Sequence, residues 1–195
     1  MSDWLHGVKV PALRIADIRS FATSIRQNSQ IGIHDPFPVL DFLEFSLTGG
    51  IDGFDWISSD DLPRGVEACA YPDGCAENPD GPYIKIRDTV YEAAHRREGR
   101  ARLTILHECG HILLHRKVAV HHRGAIGAQL APYENSEWQA NTFAAELLMP
   151  PSSFEVCGSI DEYRERMGVS REAALVQGRK LKRRGDIVTA WIDVI

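Results

Sequence analysis

His107-Glu108-Cys109-Gly110-His111-Ile112-Leu113-Leu114-His115 decides how the rest of this chain is read. Apolar residues crowd around it, with Leu103, Ile105 and Leu106 before and Ile112, Leu113 and Leu114 within, so the stretch reads as a buried helix. On a helix, positions four apart lie about 40° from each other and roughly 6 Å along the axis. The rings of His107 and His111 therefore converge on one point. Two imidazoles and a carboxylate in an apolar helix are costly without a shared partner, and a metal ion is one. The H-E-x-x-H spacing suits zinc, which takes imidazole nitrogens at about 2.0–2.1 Å. Glu108 projects roughly 100° from His107, away from the ligand face but within reach of a water on the ion. Its expected role is general base. His115 stands about 12 Å along the axis from His107, too far to share the ion; a helix-end cap or a substrate contact is expected of it.

A catalytic zinc needs a third protein ligand and an open fourth position. The stretch Asn135-Ser136-Glu137-Trp138-Gln139-Ala140-Asn141-Thr142-Phe143-Ala144-Ala145-Glu146-Leu147-Leu148-Met149-Pro150 reads as a second helix, capped by Asn135 or Ser136 and stopped by Pro150-Pro151. Glu137 lies in its first turn as the candidate ligand, with Glu134 as a weaker rival. Asn141, one turn on, could bond the outer nitrogen of His107 or His111, a contact that fixes the tautomer of a ligating ring. Glu146 falls on the opposite side of the helix from Glu137 and is expected in solvent.

The two segments together resemble the ImmA/IrrE family of zinc metallopeptidases. The resemblance covers roughly residues 60–185, with its specific motifs in 103–150: H-E-C-G-H-I-L-L-H, then E-W-Q-A-N-T-F-A-A-E-L-L-M-P. It extends more weakly to Pro82-Tyr83-Ile84-Lys85-Ile86, Arg100-Ala101-Arg102-Leu103-Thr104 and Met167-Gly168-Val169-Ser170. Two departures stand out: Cys109 sits where the family more often has an apolar residue, and Asp73 to Asp80 looks like an enlarged hairpin loop. By the resemblance His107, His111 and Glu137 would be ligands to one Zn2+ per chain and Glu108 the base, on a gluzincin-like fold. The substrate would be a helix-turn-helix repressor, cleaved to derepress stress-response or mobile-element genes.

Outward from the motifs, Ile15 to Ile25 carries apolar residues at helical spacing, and a second helix is expected from Pro38 to about Leu47, stopped by Gly49-Gly50. Trp56-Ile57, Gly65 to Tyr71 and Tyr83 to Arg87 read as strands, with a turn at Pro72-Asp73-Gly74. A small antiparallel sheet results, and its strand near Tyr83 is the candidate edge for holding a substrate backbone. After Pro151, Ser159 opens one helix as a capping box, Ser170 caps another running to about Arg183, and Val188 to Ile195 alternates like a final strand. Helix, turn and helix over 160–184 superficially suggest a DNA-reading unit; the family resemblance implies an accessory part of the peptidase instead, and Asp161, Glu162 and Glu165 agree with that. His121 and His122 lie in a polar 121–133 segment that could cover the metal. One of them, or Tyr133 or Tyr83, could stabilise the oxyanion; the residues do not choose.

The 195 residues fit one domain, with an N-terminal helical part at 1–59, a sheet and zinc-binding core at 60–150 and accessory helices and a strand at 151–195. A net charge of -5 and an isoelectric point near 5.9 argue against a dedicated nucleic-acid binder, and the run Lys180, Lys182, Arg183 and Arg184 reads as a solvated helix end. The start, Met1 to Gly7, has no basic-then-apolar leader, and no apolar run approaches the roughly 20 residues a bilayer span needs. Four cysteines without a C-x-x-C pair fit reduced thiols. Cys109 should face the core, while Cys69 and Cys75 could close a small loop or offer the metal an inhibitory thiolate. The expectation is an α+β, zincin-like, cytoplasmic zinc endopeptidase with a protein substrate and no membrane partner. The rival is a non-proteolytic regulatory or toxin-like module that keeps the metal but acts by binding; an intact Glu108 weighs against it, because binding needs no base.

Overall fold

The computed structural model describes residues 7–118 and 130–192. Helix α1 is Ile15–Asn28, started by Asp17, whose carboxylate accepts from the Arg14 amide at 3.1 Å and its guanidinium at 2.9 Å. It turns Ile18 and Ala22 inward. A helical run follows through Val39–Asp41, a π-helical Phe42–Leu47 and Thr48–Gly50, and it stops with the glycine pair expected to end it. Strands β1 (Asp55–Ser58), β2 (Ala68–Tyr71) and β3 (Tyr83–Ile86) make a sheet in the order β1-β3-β2. The class is α+β, as expected.

The sheet itself differs from the expected antiparallel one. β2 and β3 do form an antiparallel hairpin, with Ala68 opposite Ile86 and Tyr71 opposite Tyr83, but β1 runs parallel to β3 along the other side. After Ser58 the chain crosses over to lay down β2 before returning as β3, which leaves β3 in the middle. The Arg87 guanidinium secures that crossing by donating to the carbonyls of Leu62 and Pro63, both at 2.9 Å, and Val66 at 3.0 Å. All four residues of β3 are buried, the burial pattern of a central strand. Tyr83 is therefore not on an edge.

Helix α2 (Asp88–His95) leads into α3 (Gly99–His115), which buries Ala101, Ile105, Leu106, Cys109 and Ile112. Helix α4 (Ser136–Leu148) packs against α3 and, elsewhere, against α1. The α3–α4 approach is close at Gly110: a β-carbon there would stand 3.1 Å from both the Ala140 Cα and the Phe143 ring. Helix α4 stops where Pro150 restricts Met149. Then come the short α5 (Pro151–Glu155), α6 (Ile160–Met167), capped by Ser159 and closed by Gly168 at φ +63°, and α7 (Arg171–Arg184), capped by Ser170. One connected cluster of buried apolar side chains runs from Ile18 to Ile192. Arg102 of α3 ties distant parts to it, donating to the carbonyls of Phe37 and Met167, each at 2.6 Å, and of Gly168.

Two further expectations need correcting. Residues 190–192 form a 3-10 turn, not a strand; Trp191 donates its indole N–H to the Cys157 carbonyl at 2.8 Å, just past the end of α5, and 193–195 lie outside the described residues. Glu146 is not in solvent. At 3% exposed it accepts from Arg19 Nε at 2.7 Å, Arg184 Nη2 at 3.2 Å and Gln177 Nε2 at 3.4 Å, because α4 is covered by neighbours on the side away from α3 as well. Among the described residues, no helix is long and apolar enough to cross a membrane.

Candidate metal centre

Helix α3 presents His107 and His111 from successive turns, and α4 presents Glu137 from its first. That first turn is fixed by Asn135, whose side-chain oxygen accepts from the amides of Glu137 at 2.9 Å and Trp138 at 3.1 Å. A strap from the N-terminal side holds it from outside. Ser136 N donates to Val8 O at 3.1 Å, Val10 N to Glu134 O at 2.9 Å and Leu13 N to Tyr133 O at 2.9 Å, around a bridge between Lys9 and Asn135. Sequence reasoning missed this strap, because nothing local in 8–13 announces a pairing partner more than a hundred residues away.

The two imidazole nitrogens and the two oxygens of the Glu137 carboxylate close a tight triangle of residues. His107 Nε2 lies 3.0 Å from His111 Nε2 and 3.1 Å from Glu137 Oε2, and His111 Nε2 lies 3.2 Å from Glu137 Oε1. Among the described residues these are the three that could jointly hold an ion. A tetrahedral ion with bonds of about 2.0–2.1 Å separates its ligand atoms by about 3.3–3.4 Å, so the triangle fits zinc with little adjustment. Asn141 Oδ1 is 3.1 Å from His107 Nδ1, placed to accept its proton and so to leave Nε2 for an ion. Of the two rings open to Asn141 in the sequence, it contacts His107.

Without a metal, the site's charges lean on one another. Burial alone would raise the Glu137 carboxyl, but hydrogen bonds and charge from His107 and His111 outweigh it and hold it at about 2. Burial likewise pushes His107 down, and Glu137 and Glu108 more than offset that. Glu108 is outside the triangle and buried against β2, where the Ala70 amide hydrogen-bonds its carboxylate. Burial pushes its carboxyl up, against the pull of both histidines. A carboxylate with raised proton affinity is suited to take a proton from water.

The remaining expected residues are dispersed. His115 is 4% exposed and closed off from any substrate; its Nδ1 is 3.1 Å from His111 Nδ1 and its Nε2 3.1 Å from Gln139 Oε1. Burial, with the charge of His111, lowers its pKa to about 4, so it is neutral. Gln139 went unnoticed in the sequence, although a fully buried glutamine in an apolar helix face is a signal. Tyr83 packs its ring near Tyr71, 6.5 Å between centroids, and faces the charges of Asp55, Lys85 and Glu77 instead of the triangle. Tyr133 is 51% exposed just before α4. His121 and His122, and most of the 121–133 segment, lie outside the described residues. Cys109 is buried in the core, and Cys69 and Cys75 are free thiols. Burial raises the Cys69 thiol, which disfavours the thiolate a metal would want.

No curated protein matches the chain. A peptidase-family model described as the IrrE N-terminal-like domain matches residues 73–177, a span that holds the hairpin of β2 and β3 in part, all of α3 and α4 and every atom of the triangle. The match takes in more than half of the 195 residues, and with it the chain belongs to the IrrE N-terminal-like family of metallopeptidases.

Proposed function

We propose that the chain is a zinc-dependent endopeptidase in which His107, His111 and Glu137 hold one ion and Glu108 is the general base. One observation carries the reading: two imidazole nitrogens lie 3.0 Å apart, each within 3.2 Å of one oxygen of Glu137, beside a buried carboxylate outside that group. Zinc held there supplies Lewis acidity, which acidifies a nearby water and polarises a peptide carbonyl. Glu108 takes the proton from that water and delivers it to the departing amine. Asn141 keeps the His107 ring in the tautomer that leaves Nε2 free. The substrate backbone would extend β2, the edge strand whose Ala70 amide touches Glu108, in place of the strand containing Tyr83. Of the two tyrosines considered for the oxyanion, the exposed Tyr133 is the one a peptide can reach.

A peptidase acts on protein, and the family resemblance supports a helix-turn-helix repressor as the substrate, acted on in the cytoplasm by a single-domain chain. The unbroken apolar cluster from Ile18 to Ile192 supports the single domain. The test is to incubate the protein, zinc and the repressor encoded nearest its gene, beside Glu108→Gln. The parent should cut at one or a few bonds, and the variant should keep its zinc and lose about 10²–10⁴-fold in rate. Equal cleavage by both would sink the mechanism, and binding without cleavage by either would favour the non-proteolytic module.

A further inference from the structure

We infer that His115 and Gln139 are positioning residues that set the tautomer of His111, through a hydrogen-bond chain running from the N-terminal strap to the metal centre. The proposal rests on the metal-site reading above and goes beyond it to a part of the site outside the ligand set.

The chain starts from two groups that can only accept. Gln139 Nε2 lies 2.8 Å from the Pro11 carbonyl and 2.7 Å from the Tyr133 carbonyl. Carbonyl oxygens offer no proton, so the amide nitrogen must be the atom facing them, and Oε1 must face the other way. There it meets His115 Nε2 at 3.1 Å. An amide oxygen cannot donate, so His115 carries its proton on Nε2. A neutral imidazole has one N–H, which leaves His115 Nδ1 bare. His111 Nδ1 stands 3.1 Å from that bare nitrogen and must therefore hold a proton to donate. His111 Nε2 is then left with its lone pair, directed at the triangle.

Each step excludes an alternative. A His111 ring protonated on Nε2 would gain Glu137 Oε1 at 3.2 Å but would set its own Nδ1 lone pair against that of His115 at 3.1 Å. A cationic His115 would force the same ring state, and the burial of His115 opposes its charge. His107 needs no such relay, because Asn141 accepts from it directly. The two histidine ligands are thus prepared by different means, one by a single contact and the other by a chain that depends on Pro11 and Tyr133 being in place.

The experiment uses the full chain labelled with ¹⁵N in its histidines. In the metal-free parent, imidazole ¹⁵N shifts should report His111 as the Nδ1–H tautomer and His115 as Nε2–H. His115→Leu removes the acceptor, so His111 should move toward Nε2–H and zinc affinity, measured by chelator competition, should fall about ten- to hundredfold. His115→Gln, whose amide oxygen can accept from His111, should recover most of that loss. A His111 found mainly as Nε2–H in the parent would overturn the proposal, as would parental zinc affinity in a folded His115→Leu. The tautomer measurement needs neither a variant nor a metal. Absence of zinc binding by the parent would strike the metal-site reading and leave the tautomers to judge this one.

Discussion

Helix α4 carries a glutamate near each end, and their surroundings are opposite in kind. Glu146 is enclosed by the chain's own cations: Arg19 and Arg184 bond it, and both also bond Asp186, at 2.7 and 2.9 Å. Its charge is answered within the protein. Glu137 instead faces the Nε2 atoms of two imidazoles, whose other ring nitrogens contact Asn141 and His115. It has titratable rings where Glu146 has fixed cations. A buried carboxylate among guanidinium groups holds a fold together, whereas one beside two imidazoles can share a metal ion with them. Sequence alone makes the two look alike, as glutamates nine positions apart on one helix.

The sharpest way to break this contrast is to remove the ligands. The double variant His107→Ala, His111→Ala should drop zinc, by elemental analysis, from one per chain to nearly none, and Glu137→Ala should follow in the same direction; unchanged metal content would erase the distinction. Glu146→Ala should do the converse. Breaking its pairs should cost about 2–4 kcal/mol, less than for a fully buried pair because Arg19 and Arg184 keep part of their side chains in water. In a domain of this size that lowers the melting temperature by roughly 4–16 °C, with zinc content unaltered. A loss of zinc without a loss of stability would assign Glu146 to the wrong side of the comparison.

The smallest effect concerns Asp186, whose carboxyl is held below its ordinary value by hydrogen bonds from Arg19 and then Arg184, against burial. A depressed carboxyl pKa stabilises the fold above the unfolded-state value of about 3.9, and that contribution is lost as pH falls through the folded-state value. Asp186→Asn should therefore cost about 0.5–1 kcal/mol at neutral pH. The gap between parent and variant should narrow in urea titrations as pH falls below about 3.9. A gap that persisted in acid would show that Asp186 acts by shape and not by charge.

What could be read in the sequence was what one helix decides by itself. The spacing of His107 and His111, the Asn135 cap that sets Glu137 and the inward turn of Cys109 are all local geometry, and the structure places them as that geometry requires. What could not be read depends on who packs beside whom. Glu146 looked like a solvent residue because opposite to Glu137 was equated with outside, yet α4 has neighbours on more than one side. Tyr83 looked like an edge residue because its hairpin partner is adjacent in sequence while β1, its other neighbour, arrives in a parallel register that no turn announces. Distance along α3 keeps His115 out of the triangle, but its bond to Gln139 joins two helices across 24 positions. Alternation at 188–195 suggested a strand where an indole N–H had already found its carbonyl.

The bare α-carbon of Gly110 sets the gauge of the site. Since α3 brings two of the three liganding atoms and α4 the third, the spacing of these helices is also the width of the opening offered to an ion. Adding one methyl at 110 would press on Ala140 and Phe143 and require them to yield by a few tenths of an ångström. That is about the difference between the bond lengths of zinc, near 2.0–2.1 Å, and of calcium, near 2.3–2.6 Å. If the triangle holds zinc as proposed, discrimination among cations by size would depend on a residue that never touches one, and Gly110→Ala should blunt it while leaving His107, His111 and Glu137 in the sequence.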